Sequence, residues 1–169
     1  WIRLTPGRSD RWLGIDPGLR VTGYGVLESD GGKLALLDAG TIRSTTSRSL
    51  PYRINELYES LLEVIEDFTP AVMGLEEVYS HYRHPRTAII MAHARGALCL
   101  AAHRSGVEVV SIPASRIKKM VTGSGRAGKQ QVSGMVRDLL GIEQEIRPDD
   151  VSDALAAAIA VYECCRHDR

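Results

Sequence analysis

The chain has 169 residues, 44% hydrophobic and 25% charged, and carries 21 Lys and Arg against 21 Asp and Glu. That composition describes one globular domain with enough apolar material for a core, and it excludes disorder, collagen and coiled coil. The formal net charge of zero argues, as an average, against a nucleic-acid or membrane-surface partner, whose usual mark is a basic excess.

Residues 1–11 lack the apolar centre of a signal peptide and read as a flexible segment ahead of a single domain over 12–169. Residues 12–16, WLGID, form a short apolar run stopped by Asp16-Pro17-Gly18. A second run, 22–27, stops at the SDGG of 29–32, and a third β-like stretch covers 33–42. The turn residues between them predict an antiparallel meander. Ile54, Leu57, Leu61, Leu62, Ile65 and Phe68 then recur at helical spacing and predict an amphipathic helix ending before Thr69-Pro70. Residues 71–76 read as a fourth strand, and 77–85 as a polar, aromatic stretch.

Residues 87–104, rich in Ala, Ile, Met and Leu, predict a largely apolar helix that packs on more than one side. A fifth strand over 107–112, a short basic helix over 115–121, a loop over 123–128 and a helix over 129–140 follow. Pro148-Asp149 opens a last helix, from Asp150 to about Cys165. Strands followed by alternating helix and strand predict an α/β fold, a mixed five-stranded sheet with helices on both faces. Apolar runs such as 154–160 fall far short of the roughly 20 residues of a membrane helix. Cys99, Cys164 and Cys165 are an odd set in apolar surroundings and read as reduced thiols, so a cytoplasmic protein without a membrane partner is expected.

Two acidic residues stand where strands end. Asp16 closes the first and Glu76 the fourth, each beside apolar neighbours that make a carboxylate expensive. Asp150 and Asp153 lie three apart at the start of a helix, on one face and at the end that favours anions. Each has an ordinary explanation: a turn residue for Asp16, an N-cap for Asp149 or Asp150, a solvated pair for Glu76 with Glu77. Together, three segments delivering carboxylates to element edges are unfavourable unless a cation sits among them. Ligands that are all hard oxygens suit Mg²⁺ or Mn²⁺, and two such ions suit phosphodiester hydrolysis.

Positive charge is segregated too. Arg116, Lys118, Lys119, Arg126, Lys129 and Arg137 form one basic stretch, and His81, Arg83, His84, Arg86 and Arg95 another. Such runs are usually solvated faces, but beside a metal centre they would hold a polyanionic backbone over it. Tyr79 and Tyr82 could stack on an unpaired base or simply anchor their loop. A rival pattern, GSGRAGKQ over 123–130, nearly matches the phosphate-binding loop G-x-x-x-x-G-K-[ST], but Gln130 replaces the hydroxyl that would hold Mg²⁺.

The segments IDPGLRVTGYGV (15–26), LEEVY (75–79) and DVSDALA (150–156), in that order, resemble the RuvC family of Holliday-junction resolvases. The resemblance extends through ARG (94–96), RIKK (116–119) and MVR (135–137). It implies a ribonuclease-H-like fold, a homodimer, and Mg²⁺-dependent nicking of two strands of like polarity in a four-way DNA junction. It also implies a branch-migration helicase as partner, while the oxygen-only donor set leads to the expectation of two ions in each site with Mn²⁺ able to substitute. Carried over by position, the catalytic and metal-holding carboxylates are Asp16, Glu76, Asp150 and Asp153, with Glu77 in a neighbouring non-catalytic place. Tyr79 falls where the family has an aromatic residue near the crossover. Lys118 and Lys129 match basic positions at the DNA, and Arg86 and Lys119 complete the expected DNA-binding set.

Overall fold

The computed structural model describes residues 10–77 and 85–167. Five strands, β1 (Arg11–Asp16), β2 (Val21–Asp30), β3 (Lys33–Arg43), β4 (Val72–Glu76) and β5 (Glu108–Ile112), form one sheet in the order β3-β2-β1-β4-β5. The first three make the expected antiparallel meander, while β1 with β4 and β4 with β5 run parallel. Both parallel connections pass through helices, α1 (Leu50–Phe68) and α2 (Pro85–Arg104), as crossovers of this kind require. Helices α3 (Ala114–Thr122), α4 (Lys129–Leu140) and α5 (Asp149–His167) complete the chain.

The period-two alternation of a strand splits the core into two layers. Leu13, Ile15, Met73 and Leu75 point to the face covered by α1 and α2, where Leu57, Leu61, Ile65, Leu98 and Ala101 meet them. Trp12 and Val72 point to the other face, against α5 with α3 and α4. Each large side chain taken fully out of water contributes roughly 1.5–3 kcal/mol, so both layers matter for stability.

Helix α5 lies unusually close to the sheet. A Cβ at Gly14 would stand 2.0 Å from the Ala154 carbonyl oxygen, and one at Gly74 2.8 Å from that of Ala157. Alanines on the helix and glycines on the strands let the two backbones approach, and Ala154, Ala156, Ala157, Ala158 and Ala160 are all buried. Residues 87–104, expected to pack on more than one side, bury one face through Ala94, Leu98, Ala101 and Ala102; Ile89 and Leu100 on α2 are more than half exposed. The loop over 123–128 joins α3 to α4 with no strand before it, which removes the structural setting of a phosphate-binding loop.

Candidate active site

The alternation that sorts the core also aims the acids. Counting in twos from Trp12 and Gly14, Asp16 faces α5; counting from Val72 and Gly74, so does Glu76. The parallel register pairs Ile15 with Leu75, so the two carboxylates leave adjacent strand ends side by side. Ligand sites of open α/β sheets lie at the carboxyl ends of strands in this way. Helix α5 brings its first turns over the same edge, because its close seat on Gly14 and Gly23 leaves no other path. Asp150 and Asp153 arrive there with the helix N-terminus, whose partial positive charge favours them.

Asp16, Glu76 and Asp153 line an open cleft of about 250 Å³ with Lys118 and Lys129, over a floor that includes Ile117 and Val132. The Lys129 ammonium donates to Asp153 Oδ2 at 3.0 Å. Asp150 does not line the cleft, but its charge acts on Asp16. Burial, then repulsion from Asp153, Glu76 and Asp150, pushes the Asp16 carboxyl up to about 7, against a smaller opposing pull from Lys129. Burial and Asp153 likewise raise Glu76, with Lys118 and Lys129 opposing. The bond to Asp153 holds the Lys129 ammonium above its ordinary range. A second cleft of about 300 Å³ shares Lys129 and Asp153 and continues past Gln130, Arg137 and Arg147.

Among the described residues no group of three acidic, His or Cys side chains is already closed around a point where an ion would sit. The donor chemistry nevertheless fits a hard divalent cation, since Asp16 feels the charge of three other carboxylates and a cation relieves all of it. Of the expected DNA-binding residues, Lys118 and Lys129 reach the cleft. Lys119 and Arg86 are exposed on α3 and α2 and do not line it. Tyr79 lies outside the described residues.

Two supports were not legible in the sequence. The buried Thr22 hydroxyl donates to the Gly18 carbonyl at 2.7 Å and accepts from the Gly18 N–H at 3.2 Å, which fixes the turn after Asp16. The Arg95 guanidinium donates to the Glu76 carbonyl at 2.7 Å. Arg95 stood out in the sequence as one cation in a basic run and as the centre of the ARG segment, and local sequence holds no signal of its partner.

The family described as crossover junction endodeoxyribonuclease RuvC matches residues 12–161. A protein of that name from Rhodopirellula baltica is 45% identical over 158 residues, 94% of this chain and 89% of the relative. One from Alkaliphilus metalliredigens is 39% identical over 147 residues, 87% of this chain and 89% of its own length. The structure of Thermus thermophilus RuvC in complex with a Holliday junction substrate superposes with a TM-score of 0.88 at 31% identity, over 94% of this chain and 96% of that one. A yeast mitochondrial Holliday junction resolvase shares the fold, with a TM-score of 0.65 at 16% identity over 95% of this chain and 82% of that one. The ribonuclease-H-like sheet expected from the sequence is therefore the observed one, and the chain belongs to the RuvC family of crossover junction endodeoxyribonucleases.

Proposed function

We propose that this chain, a Holliday-junction resolvase by family, nicks two strands of like polarity at symmetric positions in a four-way junction, leaving 5′-phosphate and 3′-hydroxyl ends. The observation that carries the reading is the convergence of Asp16, Glu76 and Asp153 on one cleft flanked by Lys118 and Lys129, with Asp150 close enough to act on Asp16. In this reading Asp16, Glu76, Asp150 and Asp153 would hold two Mg²⁺ ions, for which Mn²⁺ would substitute. When bound, the ions acidify the attacking water and neutralise charge on the leaving oxygen.

The chain's own residues do the rest. Asp16, raised to about 7, would give up its proton on taking up a cation, so loading would be coupled to proton release. Lys129 exchanges its contact with Asp153 for a DNA phosphate, and Lys118, which lines the same cleft, takes another. The second cleft gives the strand a path past Gln130 and Arg147. Arg86 and Lys119, exposed beyond the cleft, add phosphate contacts, and Tyr79 stacks on a base at the crossover.

Two equivalent cuts in a two-fold junction call for two copies related by a two-fold axis. The open face of α2 is the proposed interface, since it carries Ile89 and Leu100 with Gly96 between them, where a Cβ would meet nothing within 4 Å. Residues 12–169 act as the single nuclease domain, in the cytoplasm, alongside a branch-migration helicase.

The test is to incubate a labelled four-way junction with the protein and Mg²⁺, beside a linear duplex of the same sequence and an Asp16→Asn variant. Paired nicks only in the junction, lost in the variant while binding survives, are expected. Binding without nicks in any divalent metal would make the chain a junction-binding module, and equal cutting of the duplex would remove structure selectivity.

A further inference from the structure

We infer that Arg95 is a positioning residue for Glu76, acting from α2 by holding the peptide that follows this carboxylate. The inference deepens the proposed nuclease reading and rests on it for the role of Glu76. Arg95 sits between buried Ala94 and exposed Gly96, and is itself half-buried. One arm of its guanidinium donates to the Glu76 carbonyl at 2.7 Å, and the other to Ser111 Oγ at 2.5 Å. On the same peptide unit, the Glu77 N–H donates to the Ile112 carbonyl at 3.0 Å. The Glu76–Glu77 peptide is thus held by both of its polar groups, one from α2 and one from β5.

A planar peptide fixed at N–H and C=O leaves little rotation about the Glu76 Cα–C bond. That in turn fixes where the Glu76 side chain leaves the strand. The position needs such a hold, because β4 ends at Glu76 and the ladder with β1 stops one residue earlier, at Ile15 with Leu75. Glu76 also carries a half-buried carboxylate that shares its cleft with Asp153, and like charges tend to drive the two apart. A bond from a charged donor is about twice as strong as a neutral one, and the planar fork aims two donors in fixed directions, as the single rotatable ammonium of a lysine does not. Both terminal nitrogens of Arg95 are engaged with protein acceptors.

The test compares wild type with Arg95→Met, which keeps the apolar stem, and Arg95→Lys, which restores one donor. Junction affinity in EDTA, the single-turnover cutting rate at saturating junction and Mg²⁺, and hydrogen exchange of the Glu77 amide in the free protein are measured. Arg95→Met is expected to bind the junction within about twofold of wild type and to cut roughly 10- to 100-fold slower, the usual cost of removing an outer support of a metal ligand. Its Glu77 amide exchanges faster while those of Leu13 and Met73 do not, and Arg95→Lys recovers part of the rate.

A weakened affinity with a shallower salt dependence and an unchanged rate on bound junction would make Arg95 a phosphate contact and overturn the inference. Uniformly faster exchange across the core, or unchanged exchange at Glu77, would overturn it as well. If wild type does not cut the junction, the nuclease reading fails, and exchange at Glu77 still decides whether Arg95 holds this peptide.

Discussion

Gly23 of β2 lies directly against the main chain of Asp150: a Cβ at Gly23 would stand 2.0 Å from the Asp150 carbonyl oxygen. The first turn of α5 reaches the ends of β1 and β4 only because that position has no side chain. Gly23→Ala must push the helix start away, with backbone on one side and no flexible atom to yield. Overpacking costs about 1–3 kcal/mol, and a backbone clash belongs at the upper end. Denaturant unfolding should show that loss, and junction cutting should fall while junction binding changes less.

Asp16→Asn removes the carboxylate that three others repel. Cutting should drop by more than about a hundredfold, beyond the loss for an outer support of a metal ligand. Binding should be kept, because an acid facing the phosphates has gone. At pH 8 the variant should melt higher than wild type, an outcome expected of a buried charge and not of a lost structural contact.

The raised Asp16 carboxyl sets a stability slope. Its ordinary value is 3.8 and its folded value about 7, so between these the folded chain holds a proton that the unfolded chain has released. Stability should therefore fall as pH rises through that window and level off above about 7, by a total on the order of 4 kcal/mol from this group. Thermal melts from pH 4 to 8 without divalent metal check the slope. Adding Mg²⁺ at pH 8 should raise the melting temperature, because the cation binds only the folded state.

Lys129 pulls Asp16 and Glu76 down while it bonds to Asp153. Lys129→Met should move the rise of the pH–rate profile to higher pH and reduce the salt slope of junction binding by about one. Lys119→Ala, on the exposed side of α3, should reduce the salt slope and leave the pH midpoint in place.

Leu100→Glu puts a charge on the open face of α2, where the side chain is 53% exposed in the single chain. Sedimentation should report a monomer in place of the proposed dimer, with the melting of the monomer little changed. Nicking should then become unpaired, one strand per encounter. A variant that remains dimeric places the interface elsewhere.

The elements were legible because they are local. Short apolar runs ended at Asp16 and Glu76, and helical spacing in 54–68 gave the buried Leu57, Leu61 and Ile65 of α1. The 129–140 helix agrees to the residue, bounded by Gly128 and Gly141. The carboxylates were readable as a set because each sits at an element's end, and the RuvC resemblance ordered them. Net charge misled as an average, since Lys118 and Lys129 stand in one cleft with Asp16, Glu76 and Asp153.

The sequence by itself determined the order and kind of the elements and the standing of the acids at their ends, because apolar runs, helical spacing and turn chemistry act over a few residues. Only the tertiary structure decided what meets across elements. The close seat of α5 on Gly14 and Gly23, the grip of Arg95 on the Glu76 carbonyl and the pairing of Lys129 with Asp153 depend on it. So does the upward shift of Asp16, which follows from burial and from charges carried by β4 and α5. These effects fall off steeply with distance in space, and distance in space is set by packing and not by position along the chain.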